Sequence, residues 1–224
     1  MQTSAKLEKF MAYQVPALDQ KIKEIIGDLR SPIDKLERIY YFVRDSILFD
    51  LPADYFVSAG QVLTAGRGAC MNKAVLLAEM ARRAGVPARL HFMWVSKEAL
   101  RDLVHPLAYR FWADPFLHTY PEVMIDGSWV SMEPTIDIGL YRILLGKSLN
   151  FARYPEHRNI PINFSPAGVV GVQQFAVVKE SPPVYADDLE PLRQNVESLP
   201  KIKQLLMPSV LRMSSHWLNE KVRK

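Results

Sequence analysis

The stretch from Gly66 to Pro87 constrains the fold of this chain more than any other. Gly66-Arg67-Gly68-Ala69 permits a tight backbone approach, and Cys70 through Ala84 then reads as one uninterrupted helix. Gly85 suits a left-handed cap, and Pro87 keeps the helix from resuming. Ala74, Leu77, Ala78 and Ala81 recur at three- and four-residue intervals. Side chains that small let neighbouring elements approach closely, so this helix is expected at the centre of the fold.

Two helical patterns precede it. The first runs from about Pro16 to Leu29. The second has Ser31 as N-cap, Pro32 at its first position and Asp34 in its first turn, and continues to about Ile47. Ile33, Leu36, Ile39, Tyr40 and Val43 give it one apolar face. Residues Asp50 to Gly68 read as a loop. After Pro87, Arg89–Val95 reads as a strand, and Glu122–Ile125 and Trp129–Met132 as two more, joined by Asp126-Gly127-Ser128, a strong hairpin signal. Helices, then a central helix, then antiparallel strands predict an α+β fold with the central helix laid against the sheet.

At 224 residues the chain is expected to form a single domain, 1–224, with some elaboration. Its apolar share of 49% and charged share of 23% fit a soluble globular protein and exclude a disordered or fibrous one. Met1 to Phe10 mixes Lys6, Glu8 and Lys9 without an apolar core, and no eighteen-residue apolar run occurs. A cytoplasmic protein with no transmembrane segment is the expectation. The net charge of +4 belongs to the tail, because residues 192–224 hold seven Lys or Arg against only Glu197 and Glu220. With no basic stripe interleaved with aromatics in the body, nucleic-acid binding is not expected.

A single cysteine forms no internal disulfide and no cysteine metal cage. His91 and His105 lack a second ligand at zinc-like spacing, so neither a metal nor an organic cofactor is expected. Cys70 stands at a helix N-terminus, where open amides and the helix dipole favour the thiolate, the form that attacks carbonyl carbon. A lone cysteine is equally at home as a small buried hydrophobe, so partners matter. His118 stands at the threshold of the first hairpin strand and Glu133 closes the second, so pairing across the Asp126-Gly127 turn brings their neighbourhoods together. Asp114 and Asp137 are alternative acids, Asp137 the better placed of the two. Trp94, Phe111, Trp112 and Phe116 bracket the segment before His118, as cleft wall or as ordinary core.

These blocks resemble the transglutaminase-like superfamily. Its pattern is a Gly-x-Cys at a helix start, a Gly-x-Pro-Ala-Arg segment, a His-x-x-x-Glu-Val strand, and a Trp-containing strand that ends in Asp-Pro-Thr. Gly68-Ala69-Cys70, Gly85-Val86-Pro87-Ala88-Arg89, His118 to Val123, and Trp129 to Thr135 supply them in that order, over about Tyr40 to Asp137. Two departures stand out: Glu133 occupies the position of the usual Asp, and Tyr120-Pro121 stands where the family often has Trp.

The resemblance implies a papain-like fold, with Cys70 as nucleophile, His118 as base and Glu133 as the acid that orients it. It also implies acyl transfer on peptide or side-chain amides through a thioester, resolved by water or by an amine, with a peptide or protein as substrate. The oxyanion would meet the Cys70 amide and a second donor, for which Tyr55 and Gln61 are the upstream candidates. An inactive binding module on the same scaffold is the competing function. The extension 138–224 has an apolar strand candidate at Gly168–Val178 and a basic amphipathic helix from about Lys201 with Ile202, Leu206, Val210, Met213 and Trp217 on one face, interrupted by Pro208. That helix is expected to dock on its own domain, with a partner helix or a membrane surface as alternatives.

Overall fold

The computed structural model describes residues 15–52, 54–147 and 184–224. Helix α1, Val15–Ile26, is followed by α2, Pro32–Tyr41, whose Ser31 cap accepts a hydrogen bond from the Asp34 amide. A π-helical turn, Phe42–Ser46, continues α2 and leads into β1, Leu48–Phe49. The segment after it is not all loop, because α3 spans Ala59–Ala65. Its cause is local: the Ser58 hydroxyl accepts from the Gln61 amide at 3.3 Å and the Gln61 side chain accepts from the Ser58 amide at 2.8 Å, a capping box. Left-handed Gly66 closes the helix, and β2, Arg67–Gly68, then pairs in parallel with β1.

Helix α4, Cys70–Arg83, is the centre of the molecule. Ala74, Leu77, Ala78 and Ala81 are essentially inaccessible, and they pack in one core with Leu36, Ile39 and Val43 on one side and Leu90 and Phe92 on the other. The sheet comprises β3 (Ala88–Val95), β4 (Phe116–Ile125), β5 (Ser128–Ser131) and β6 (Val184–Ala186), in the order β5-β4-β3-β6 with every neighbour antiparallel. Asp126 and Gly127 both have positive φ, as a two-residue type I′ turn requires. The arrangement is α+β, as the element order predicts.

β4 begins at Phe116, six residues earlier than the expected strand, because β3 pairs with it continuously from Ala88↔Val123 to Val95↔Phe116. Pro121 is tolerated within it. Its carbonyl accepts from Met132 at 2.9 Å, so its missing N–H faces β5 just where that ladder ends.

The remaining helices are α5 (Pro106–Phe111), α6 (Ile138–Lys147), α7 (Glu190–Ser198) and α8 (Lys201–Trp217). Pro208 does not interrupt α8, since Leu211, Ser214 and Leu218 beyond it are buried and packing sustains the helix. The helix docks on the chain's own core, and Arg223 beyond it reaches Asp137 at 2.6 Å and the Phe49 carbonyl at 2.9 Å. Its first turns still expose Ile202, Leu205 and Leu206. No helix among the described residues is long and apolar enough to cross a membrane. The strand expected at Gly168–Val178 lies outside the described residues.

Candidate active site

Cys70 is the first residue of α4. The turn that delivers it is built on Asn72, which is wholly buried. Its side-chain oxygen accepts from the Ala69 amide at 2.9 Å, and its side-chain nitrogen donates to the Tyr55 carbonyl at 2.8 Å, tying the preceding loop to the helix start. A Cβ on Gly68 would lie 2.7 Å from the Asn72 Cβ, so the close approach requires glycine there. Ala69 caps α4 without a side-chain acceptor, which leaves first-turn amides of the helix open with the positive end of the helix dipole behind them.

His118, on β4, stands beside this helix end. Its Nε2 is 2.9 Å from Oε1 of Glu133, and its ring lines the same cavity as Cys70, near enough for the sulfur to act on it electrostatically. Both His118 and Glu133 are about 1% exposed. Burial alone disfavours a charged imidazole, but the Glu133 carboxylate and the Cys70 sulfur outweigh it and push His118 up to about 10. The Tyr40 hydroxyl, itself pushed up to about 12 chiefly by burial, donates to the Glu133 carbonyl at 3.1 Å and fixes the chain where it leaves β5.

The other acids are occupied elsewhere. The Asp114 carboxylate accepts from the Lys97 amide, and Asp137 accepts from the Phe49 and Leu140 amides as well as from Arg223. His91 pairs with Glu122 at 3.0 Å and with the Tyr120 hydroxyl at 2.7 Å, and the His105 ring accepts from the Leu107 amide as a helix cap. Among the described residues no group of three or more His, Cys, Asp or Glu is placed to hold a metal.

Cys70 and His118 open onto a cavity of about 120 Å³ with an overwhelmingly apolar lining. Phe111, Trp112 and Phe116 form part of its wall, whereas Trp94 packs against the core. Tyr55 also lines it. Burial first and the nearby Cys70 sulfur second raise its phenol well above the ordinary range. Gln61 is consumed by the α3 cap. The far wall is made by α7 and α8, with Leu192, Val196, Met207 and Val210. The amphipathic pattern of residues 201–217 is visible in the sequence, but nothing local in it points toward Cys70.

A crystal structure of a candidate cysteine protease from Cytophaga hutchinsonii is similar at 20% identity and a TM-score of 0.41, over 54% of this chain and 37% of that one. A candidate protease from Parabacteroides distasonis is similar at 14% identity and a TM-score of 0.41, over 58% and 25%. This chain thus spans well under half the length of either. No curated protein matches it. The family model described as the transglutaminase-like superfamily matches residues 19–134, which include Cys70, His118 and Glu133, and the chain belongs to that superfamily.

Proposed function

We propose that the protein is a cysteine-dependent acyl-transfer enzyme acting on peptide or side-chain amides, most simply as a hydrolase. One observation carries the reading: Cys70, at the start of α4, shares a cavity with His118, whose imidazole is held 2.9 Å from a buried carboxylate. A histidine pushed up to about 10 is charged at neutral pH, and an imidazolium beside a thiol at a helix N-terminus favours the thiolate.

Cys70 Sγ bonds to the acyl carbon while the carbonyl π pair moves onto oxygen. The Cys70 amide and the Tyr55 hydroxyl meet that oxyanion. Collapse breaks the carbon–nitrogen bond, and the departing amine takes a proton from His118. Water, giving a proton to His118, then attacks the thioester, and the carbon–sulfur bond breaks to regenerate the thiolate. An amine in place of water gives transfer by the same steps. Glu133 holds the imidazole in place and stabilises its charge.

The test is the pH dependence of Cys70 alkylation by iodoacetamide in the wild type and in His118→Ala. Wild-type reactivity is expected to persist near pH ~6, with the variant reacting only toward ~8.5, as an ordinary thiol does. Identical profiles characteristic of an ordinary thiol would remove the nucleophile assignment and favour a binding module.

A further inference from the structure

The cavity over Cys70 has a wall that the superfamily core does not supply. The family match ends at residue 134, whereas Leu192, Val196, Leu199, Leu206, Met207 and Val210 all come from α7, α8 and the turn between them. We propose that this cavity is the acyl pocket of the site and takes an apolar acyl group of about six carbons. The proposal rests on the thiol-nucleophile reading above and adds a substrate class to it.

Position makes the first argument. Cys70 and His118 both line the cavity, so a carbonyl carbon within reach of Sγ lodges the group attached to it in this space. Chemistry makes the second. On the core side the lining includes Phe49, Leu51, Leu100 and Leu103, all buried, and the extension adds the aliphatic wall. Among the described residues polar side chains on the lining are a minority, and Lys203, one of them, is exposed. A glutamine-like side chain placed here would find few partners for its four amide hydrogen bonds beyond the buried Thr135 hydroxyl and Asn195, whereas an alkyl or aryl group gains from each methylene it buries. Size makes the third. A cavity of roughly 150 Å³ lined by Leu, Ile and Phe accepts benzene, so about 120 Å³ suits a group of comparable or slightly smaller bulk.

The experiment uses the full chain with p-nitrophenyl acetate, butyrate and hexanoate, and with the p-nitrophenyl ester of N-acetyl-norleucine. In each, Cys70 Sγ bonds to the acyl carbon, the ester carbon–oxygen bond breaks, nitrophenolate leaves with its electron pair, and water hydrolyses the thioester. Nitrophenolate release gives kcat/KM, normalised to the reaction of each ester with a small thiol, and mass spectrometry reads the acyl group on Cys70. Normalised kcat/KM is expected to rise roughly three- to fourfold per added methylene, of order a hundredfold from acetate to hexanoate. Preference for hexanoate over the norleucyl ester identifies a free acyl chain as the source and the reverse identifies a peptidyl one; either supports the pocket.

Val210→Trp fills the cavity and Leu206→Lys charges its rim. Each variant is first shown to melt cooperatively like the wild type, and each is expected to cut the hexanoate-to-acetate ratio at least tenfold. A flat chain-length profile with turnover that depends on Cys70, or a ratio unchanged in both folded variants, overturns the acyl pocket and leaves the thiol reading intact. No adduct on Cys70 with any ester overturns both.

Discussion

Glu133 reaches His118 across a diagonal of the sheet and not across a rung. The ladder pairs Glu122 with Ser131, and Pro121 accepts from Met132, so continuing that register sets Glu133 opposite Tyr120, two residues short of His118. Diagonal neighbours on one face of an antiparallel pair lie farther apart than directly opposed ones. The extra methylene of glutamate, relative to the aspartate usual in the superfamily, covers that distance, and Nε2 and Oε1 meet at 2.9 Å. Glu133→Asp is therefore expected to lose one to two orders of magnitude in turnover through misplacement of the imidazole. Glu133→Gln, which keeps the length but drops the charge, should lose about 10³-fold or more and lower the pKa of His118. Turnover of an activated ester, together with the His118 titration followed by NMR, checks both. An Asp variant as fast as the wild type would show that the diagonal does not govern the pairing.

Tyr55 and Gln61 separate cleanly. Tyr55 lines the cavity alongside Cys70, whereas Gln61 closes a capping box on α3. Tyr55→Phe is expected to lower kcat about a hundredfold while leaving iodoacetamide alkylation of Cys70 close to the wild-type rate, since alkylation forms no oxyanion. Gln61→Ala should instead cost about 1 kcal/mol of stability and leave the kinetics unmoved. Equal kinetic losses in the two variants would count against Tyr55 as the donor.

How much of the fold and site is legible in the sequence follows from how local each cause is. The start of α4 at Cys70 and its end near Gly85 are written in glycine, proline and small residues within a few positions of each boundary. The Asp126-Gly127 turn fixes the hairpin register, and that register alone brings the neighbourhoods of His118 and Glu133 together. Helix α3 carries an equally local signal, Ser58 three residues before Gln61, which the expectation of a loop over 50–68 overlooks. The cavity wall has none. It depends on contacts such as Arg223 to Phe49, 174 residues apart in sequence, which no periodicity encodes.

Two buried groups are expected to tilt stability in opposite directions over the same pH range. His118 is raised from its ordinary 6.5 to about 10, so its stabilising contribution is complete below pH 6.5 and is lost as pH rises toward 10. Lys73, one turn along α4 from Cys70 and donating to the Arg44 carbonyl at 3.0 Å, is lowered by burial from 10.5 to about 7 despite the nearby Asp137. Its penalty is complete below pH 7 and is relieved as pH rises to 10.5. Each slope is at most about 1.4 kcal/mol per pH unit, so the wild type should be nearly flat between pH 7 and 10. Urea unfolding of Lys73→Met should expose the falling His118 slope, and His118→Ala the rising one. Parallel pH profiles for wild type and Lys73→Met would contradict the pairing of the two effects.

Arg223, just past α8, ties that end of the extension to the core. Arg223 donates to Asp137 at 2.6 Å, and Asp137 is itself almost fully buried beside β1. Burial pushes that carboxyl up, but Arg223 and the amides of Leu140 and Phe49 outweigh it and hold it below the usual range. Its contribution is therefore present above the ordinary carboxylate pKa and is lost as pH falls through the lowered one. Arg223→Met removes the strongest partner of a buried charge and is expected to cost about 2–3 kcal/mol at neutral pH, with a smaller deficit in acid. Hydrogen exchange locates the damage: amides of α8 should lose protection while those of α4 keep it, because Leu218 and Val222 anchor next to Arg223 and α4 has its own core. If α4 and α8 lost protection together, the extension would be unfolding as one unit with the core, and Arg223 would be a global brace and not a local latch.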